Sequence, residues 1–161
     1  MDHSQWYIGA LNGIVVCLDR RAGTEVSGRF YHSFSREPVT FFNLEQLLFR
    51  MEEFFNQLKF PYPSTNERYF EPVDMDTAEE DKRSKIMKDE ELLRQHGDLG
   101  SFIVRVQHRQ NSSWQGRITW MEKNQTVYFR SVWDMMKLIE NALDTVCPPE
   151  DEAEEPVWPE E

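Results

Sequence analysis

IVVCLDRRAGTEVSGRFYHSFSREPVTFFNLEQLLFRMEEFF, residues 14–55, and FIVRVQHRQNSSWQGRITWMEKNQTVYFRSVWDMMKLIENAL, residues 102–143, lie on one another without a gap when the chain is shifted by 88 residues. Seven of the 42 positions are identical: Val16/Val104, Arg21/Arg109, Gly28/Gly116, Arg29/Arg117, Val39/Val127, Phe41/Phe129 and Glu52/Glu140. Ordinary residue frequencies give roughly two or three such matches. The apolar pattern beneath the identities is the stronger sign. In both stretches apolar residues alternate through a first segment (Ile14, Val16, Leu18; Phe102, Val104, Val106), a second (Val26, Phe30; Trp114, Ile118, Trp120) and a third (Val39, Phe41; Val127, Phe129). Period two is the mark of half-buried strands. The spacing then becomes helical, through Leu44, Leu47, Leu48, Met51, Phe55 and Leu58, and through Val132, Met135, Met136, Ile139, Leu143 and Val146. Each stretch therefore reads β-β-β-α.

Asn43 and Ser131 stand at equivalent places before the helical stripes, where their side chains can accept from orphan backbone N–H groups. Gln46 and Asp134, three residues on, hold the returning position of a capping box. Gly28 and Gly116 fall inside the second strands, where glycine weakens a strand unless a bulge or a close backbone approach requires it. Its recurrence predicts such a device in both stretches.

One β-β-β-α unit of this size buries too little surface to be stable alone. The expected fold is therefore α+β: tandem duplicated units forming one pseudo-twofold domain, with antiparallel sheet or sheets, two main helices and a linker helix. The domain is expected over residues 1–147. It consists of a first repeat (about 12–58), a linker (59–97) and a second repeat (about 100–147). Within the linker, three prolines in 59–72 predict an irregular crossing, and 77–97 reads as a polar helix with Thr77 and Glu80 as a capping box and Gly97 as its stop.

Charge divides the chain unevenly. Its 161 residues hold 29 acids and 18 bases, a net charge of −11. Residues 148–161 (PPEDEAEEPVWPEE) carry seven of the acids and no base, and read as a disordered acidic tail. This balance opposes nonspecific binding to nucleic acid or to an anionic membrane. No apolar run reaches the length of a membrane span. The acidic start lacks the basic region of a secretion signal. A cytoplasmic protein is expected.

Motifs that carry chemistry are absent from the sequence: no nucleophile elbow, phosphate loop, dinucleotide fingerprint or zinc spacing. Cys17 and Cys147 have neither metal nor redox spacing, and read as isolated thiols. His3, His32, His96 and His108 are scattered, with no pair at metal-ligand helical spacing. Asp19, Glu25, Cys17 and His108 would be the catalytic candidates, but nothing pairs a nucleophile with a base. No catalytic residue, metal or cofactor is assigned, and the chain reads as a non-enzyme.

Surface composition points to interaction. With helices on one sheet face, the other should show Val15, Cys17, Asp19, Arg29 and Tyr31 beside Ile103, Arg105, Gln107, Arg117, Thr119 and Tyr128. Arg29 and Arg117, with Arg21 and Arg109, form matched pairs that could grip a carboxylate or phosphate through bidentate bonds. The plainer alternative pairs them with acids such as Asp19 and Glu25. Trp114 and Trp120 alternate inward, whereas Trp133 lies off its helix stripe and should be exposed. In the tail, Val157 and Trp158 offer one apolar anchor among acids, for a partner or for the chain's own arginine face; solubility is the plainer role. The first expectation is a noncatalytic protein-interaction or adaptor protein with an unidentified protein partner. Its candidate contacts are Arg21, Arg29, Arg105, Arg109, Arg117, Tyr128, Trp133 and Trp158. A small anion or nucleotide sensor using the matched arginines is the second, and single-stranded nucleic-acid binding by the second repeat the third.

Overall fold

The computed structural model describes residues 12–23, 25–58, 85–110 and 113–146. Alternating apolar residues build strands β1 (Ile14–Ala22), β2 (Glu25–Tyr31) and β3 (Val39–Phe41), and the switch to helical spacing begins α1 (Leu44–Leu58). After the short helix α2 (Asp89–Leu92), strands β4 (Gly100–Gln110), β5 (Ser113–Trp120) and β6 (Gln125–Phe129) lead into α3 (Val132–Val146). The fold is α+β. All six strands form one antiparallel sheet in the order β3-β2-β1-β4-β5-β6, with β1 and β4 joined at its centre.

Both main helices cover one face. Ile14, Val16, Leu18, Phe30 and Phe41 from the first half meet Phe102, Val104, Val106, Ile118 and Phe129 from the second beneath Leu47, Met51, Phe55, Met135, Ile139 and Leu143, in one continuous core. Each such side chain contributes about 1.5–3 kcal/mol by leaving water. Neither half closes a core without the other, because the central β1–β4 pairing carries the apolar face across both.

The helix starts behave as capping boxes. Asn43 Oδ1 accepts from the Gln46 N–H at 2.8 Å, and Gln46 Oε1 accepts from the Phe42 N–H at 2.9 Å. At the second helix, Ser131 Oγ accepts from the Asp134 N–H at 3.1 Å, and Asp134 Oδ2 accepts from the Arg130 N–H at 3.2 Å.

Strand registers also correspond. Leu18 faces Gly28 and Arg20 faces Ser27, so Asp19 is an extra residue in β1. Val106 faces Gly116 and His108 faces Gln115, so Gln107 is the extra residue in β4. The glycines stand opposite these bulges because the strands crowd there: a Cβ on Gly28 would overlap the Cys17 carbonyl oxygen, and one on Gly116 the Arg105 carbonyl oxygen.

The linker departs from the expected long helix. Among its described residues, 85–88 are not helical, and α2 covers only Asp89–Leu92. Met87 and Leu92 are instead drawn onto the sheet, where Met87 is 5% exposed and Leu92 fully buried. The Ile86 and Met87 N–H groups donate to the Ser33 carbonyl, at 2.6 and 2.9 Å, which holds that stretch out of a helix. The crossing at 59–72, residues 77–84 of the expected polar helix, Cys147 and the tail at 148–161 lie outside the described residues. No described helix is long and apolar enough to cross a membrane.

Candidate functional site

The sheet face away from α1 and α3 is divided. On its β1 side, Val15, Cys17 and Ile103 pack under Met87, Leu92 and Met121. Val15 and Cys17 are completely buried and Ile103 is 2% exposed, which corrects the expectation that these residues lie on an open face. The cause is the 85–99 segment, whose Leu99 N–H donates to the Leu18 carbonyl at 2.8 Å and lays the chain across β1. On the β5–β6 side the face stays open. There Arg105, Arg117 and Tyr128 form one row across three strands, followed by Thr119 and Thr126, whose hydroxyls are 2.8 Å apart.

The four matched arginines do not gather. A one-residue bulge reverses side-chain alternation beyond it. Arg21 and Arg109 therefore fall on the helix-covered face, opposite Val26 and Trp114, while Arg29 and Arg117 stay on the other. The two turned arginines reach the opposite half's helix. Arg21 pairs with Asp144 of α3 at 2.7 Å, and Arg109, 2% exposed, donates to Asn56 Oδ1 of α1 at 2.9 Å above the Phe55 ring. They clasp the halves together.

Arg29 and Arg117 differ from each other as well. Arg29 pairs with Asp19 and donates to the Tyr31 hydroxyl at 2.9 Å and to the His96 carbonyl at 3.1 Å. The hydrogen bond to Asp19 raises the guanidinium above its ordinary pKa, so it remains charged. At the position equivalent to Asp19, the second half has neutral Gln107. Arg117 lies over the Tyr128 ring at 4.6 Å, and its buried Nε finds no hydrogen-bond partner among the described residues. Arg105 faces it directly in the register, a like-charge neighbour across the strands.

The second half exposes Tyr128 at 63% in this row, Trp133 at 64% and Val146 at 46% on α3, and Val127 at 45%, whose cross-strand neighbour Ile118 puts it on the helix-covered face. Trp133 has the exposure expected of it, with the Lys137 ammonium 5.3 Å from its ring centre. Trp114 is buried at 6%, and Trp120 packs against the core. Between β6 and α3 runs a groove of about 530 Å³, lined by Val127, Tyr128, Asp134, Lys137, Leu138, Glu140, Asn141 and Asp144. A cavity of about 90 Å³ shares Val127, Leu138 and Asn141 with it, and reaches inward to Phe102, Ile118, Trp120 and Ala142.

Of the four catalytic candidates, Cys17 is buried and Asp19 pairs with Arg29, while Glu25 and His108 are exposed. Burial pushes the Cys17 thiol up to about 12, more strongly than the Arg29 charge lowers it, so a reactive thiolate is not available at neutral pH. His32 is 8% exposed, stacked on Phe54 at 4.1 Å, and its Nδ1 accepts from the Phe34 N–H at 3.1 Å. One cluster escaped the sequence reading. Ser101 Oγ lies 3.5 Å from His96 Nδ1, which is 3.9 Å from Glu122 Oε2. Both neighbours face the same ring nitrogen, and the fully buried Ser101 accepts from the Gly97 N–H at 2.9 Å, so the group fastens the crossing rather than forming a relay. Among the described residues, no three His, Cys, Asp or Glu side chains gather as a metal site.

Trp158 lies outside the described residues. The groove and the divided face were also missed, because both depend on segments far apart in the chain. The pairing of Phe54 with Ala142 at the 88-residue shift was the one legible signal for the cavity. No family model, curated protein or solved structure matches this chain.

Proposed function

We propose that this is a noncatalytic protein-interaction protein that binds its partner through the surface of the second half, around Arg117, Tyr128 and Trp133. The observation that carries this is the difference between equivalent places. Arg29 is neutralised by Asp19 at the margin of the covered cluster, whereas Arg117 has neutral Gln107 at that position, an Nε with no partner among the described residues and an exposed Tyr128 against it. Arginine against an exposed tyrosine, with an exposed tryptophan elsewhere on the same half, has the residue types of a binding hot spot. In this proposal the two halves are tandem copies of one β-β-β-α unit about a pseudo-twofold axis. The matched bulges, caps and crossed Arg21 and Arg109 contacts support that view. One copy has become the scaffold and the other the contact surface, and the acidic segment with Val157 and Trp158 supplies a second contact.

The test is capture from nuclease-treated lysate by the full chain, identification by mass spectrometry and reconstitution with the purified partner. A stoichiometric protein lost with Arg117→Ala and Tyr128→Ala, and retained with Arg20→Ala, is expected. Equal capture by all three variants, or no stoichiometric protein, overturns the proposal.

A further inference from the structure

The two halves pack their helices differently at one equivalent point. In the first half, Phe54 of α1 is 4% exposed and stacks on His32, filling the space between helix and sheet. At the same places the second half has Ala142 and Trp120. Removing a phenyl ring leaves space that a rigid backbone only partly closes. The cavity beneath α3 lies there, lined by Trp120, Leu138 and Ala142. The buried Trp120 indole N–H has no acceptor among the described residues.

The cavity opens beside β6, the last strand in the sheet order, whose Gln125–Phe129 stretch (QTVYF) is exposed at four of five positions. Exposed edge strands are ordinarily blunted by charge, proline or a bulge. QTVYF contains no charged residue and no proline. The opposite edge, β3, is only three residues long and follows Pro38. Along the groove Asp144 is paired with Arg21, and Asp134 and Glu140 stand against the one base Lys137, which leaves the groove acidic by one charge.

We infer that an extended strand of a partner protein pairs with β6 and inserts a tyrosine side chain into the cavity beneath α3, with basic residues flanking it. Pairing to the edge supplies main-chain hydrogen bonds, and alternate side chains supply specificity. Tyrosine provides both the ring that the Phe54-to-Ala142 difference leaves out and an oxygen that can accept from Trp120 Nε1. The flanking bases answer the acidic rim. This inference rests on the interaction reading above, but uses the groove rather than the Arg117 row.

The test uses the full chain and para-cresol, the tyrosine side chain alone, followed by its indole N–H resonances, with Trp120→Phe giving the assignment. Cresol should shift the Trp120 signal in the wild type and leave it unmoved in Ala142→Phe, which refills the cavity; Ala142→Leu is the milder variant should phenylalanine disturb folding. Peptides of about ten residues selected from a displayed random library should carry tyrosine between basic residues, and lose at least about ten-fold in affinity with either filling variant. Their binding should survive Arg117→Ala, which separates failure here from failure of the Arg117 surface. An unmoved Trp120 signal overturns the inference. So do selected peptides that bind wild type and Ala142→Phe alike, or a β6 edge occupied instead by a second copy or by residues 148–161.

Discussion

The sheet face around Cys17 and Arg29 and the face around Arg105 and Arg117 occupy equivalent strand positions, yet Cys17 is wholly buried where Arg105 keeps some solvent. Cys17 faces Arg29 across β1 and β2, and Arg105 faces Arg117 across β4 and β5, in the same register beside the same bulge. In the first half an apolar thiol, an acid on the bulge and a tyrosine make a surface that Met87 and Leu92 can cover, with Arg29 held at its margin by Asp19. In the second half arginine replaces the thiol, glutamine the acid and threonine the tyrosine. Burying two facing guanidinium groups would be costly. Similar backbones thus differ in exposure at the substituted positions, Cys17 against Arg105 and Asp19 against Gln107, while Arg29 and Arg117 are both half-buried.

The sharpest way to break this equivalence is at the glycines. Gly28→Ala and Gly116→Ala should each destabilise the protein by about 3 kcal/mol, since each methyl meets a backbone carbonyl across the bulge. Chemical denaturation of the two variants should give similar losses. If only one suffers, the two bulges are not mechanically alike.

A smaller and deliberately unequal effect is expected at the arginines. Arg29→Ala strands Asp19 and should cost about 1.5 kcal/mol, toward the low end for bonds to a charge because both partners keep some solvent. Arg117→Ala should change stability by no more than about 0.5 kcal/mol. Thermal denaturation compares them directly, and equal losses would erase the distinction between a structural arginine and one available for contact.

The caps should restore symmetry at a lower level. Asn43→Ala and Ser131→Ala each remove an acceptor for a helix N–H and should cost about 1 kcal/mol, measured by urea unfolding.

One further effect, nil at neutral pH, is confined to alkaline solution. Cys17 is raised from 9.0 to about 12 by burial. Its contribution is complete below pH 9 and is lost as pH rises toward 12, because the unfolded thiol releases its proton first. In a Cys147→Ala background, Cys17 should resist a thiol reagent at neutral pH until the protein unfolds. Replacement by alanine should flatten the decline in stability above pH 9. Rapid labelling of the folded protein would show that the covered half is open too.

Much of the fold was legible because strands and helices are written in local periodicity. Val39 and Phe41, then Leu44, Leu47 and Met51, announce the change from strand to helix whatever lies around them, and Asn43 and Ser131 mark where it occurs. The recurring glycines likewise foretold a backbone irregularity, and the step off the apolar stripe at Trp133 foretold its exposure. The arginines were misplaced for an equally physical reason. Counting alternate residues assumes an unbroken pleat, and the extra residue at Asp19 or Gln107 turns Arg21 and Arg109 onto the helix side. Nothing local fixed that the linker would seal Val15 and Cys17, because Met87 and Leu92 are distant in sequence and their short polar stretch resembles a helix. By itself, the sequence determined the alternation, the caps, the α+β class and the concentration of acids in residues 148–161. Only the tertiary structure decided which face was covered, where each arginine ended and that a cavity stands where Ala142 replaces a ring, since each outcome depends on contacts between segments that no local period encodes.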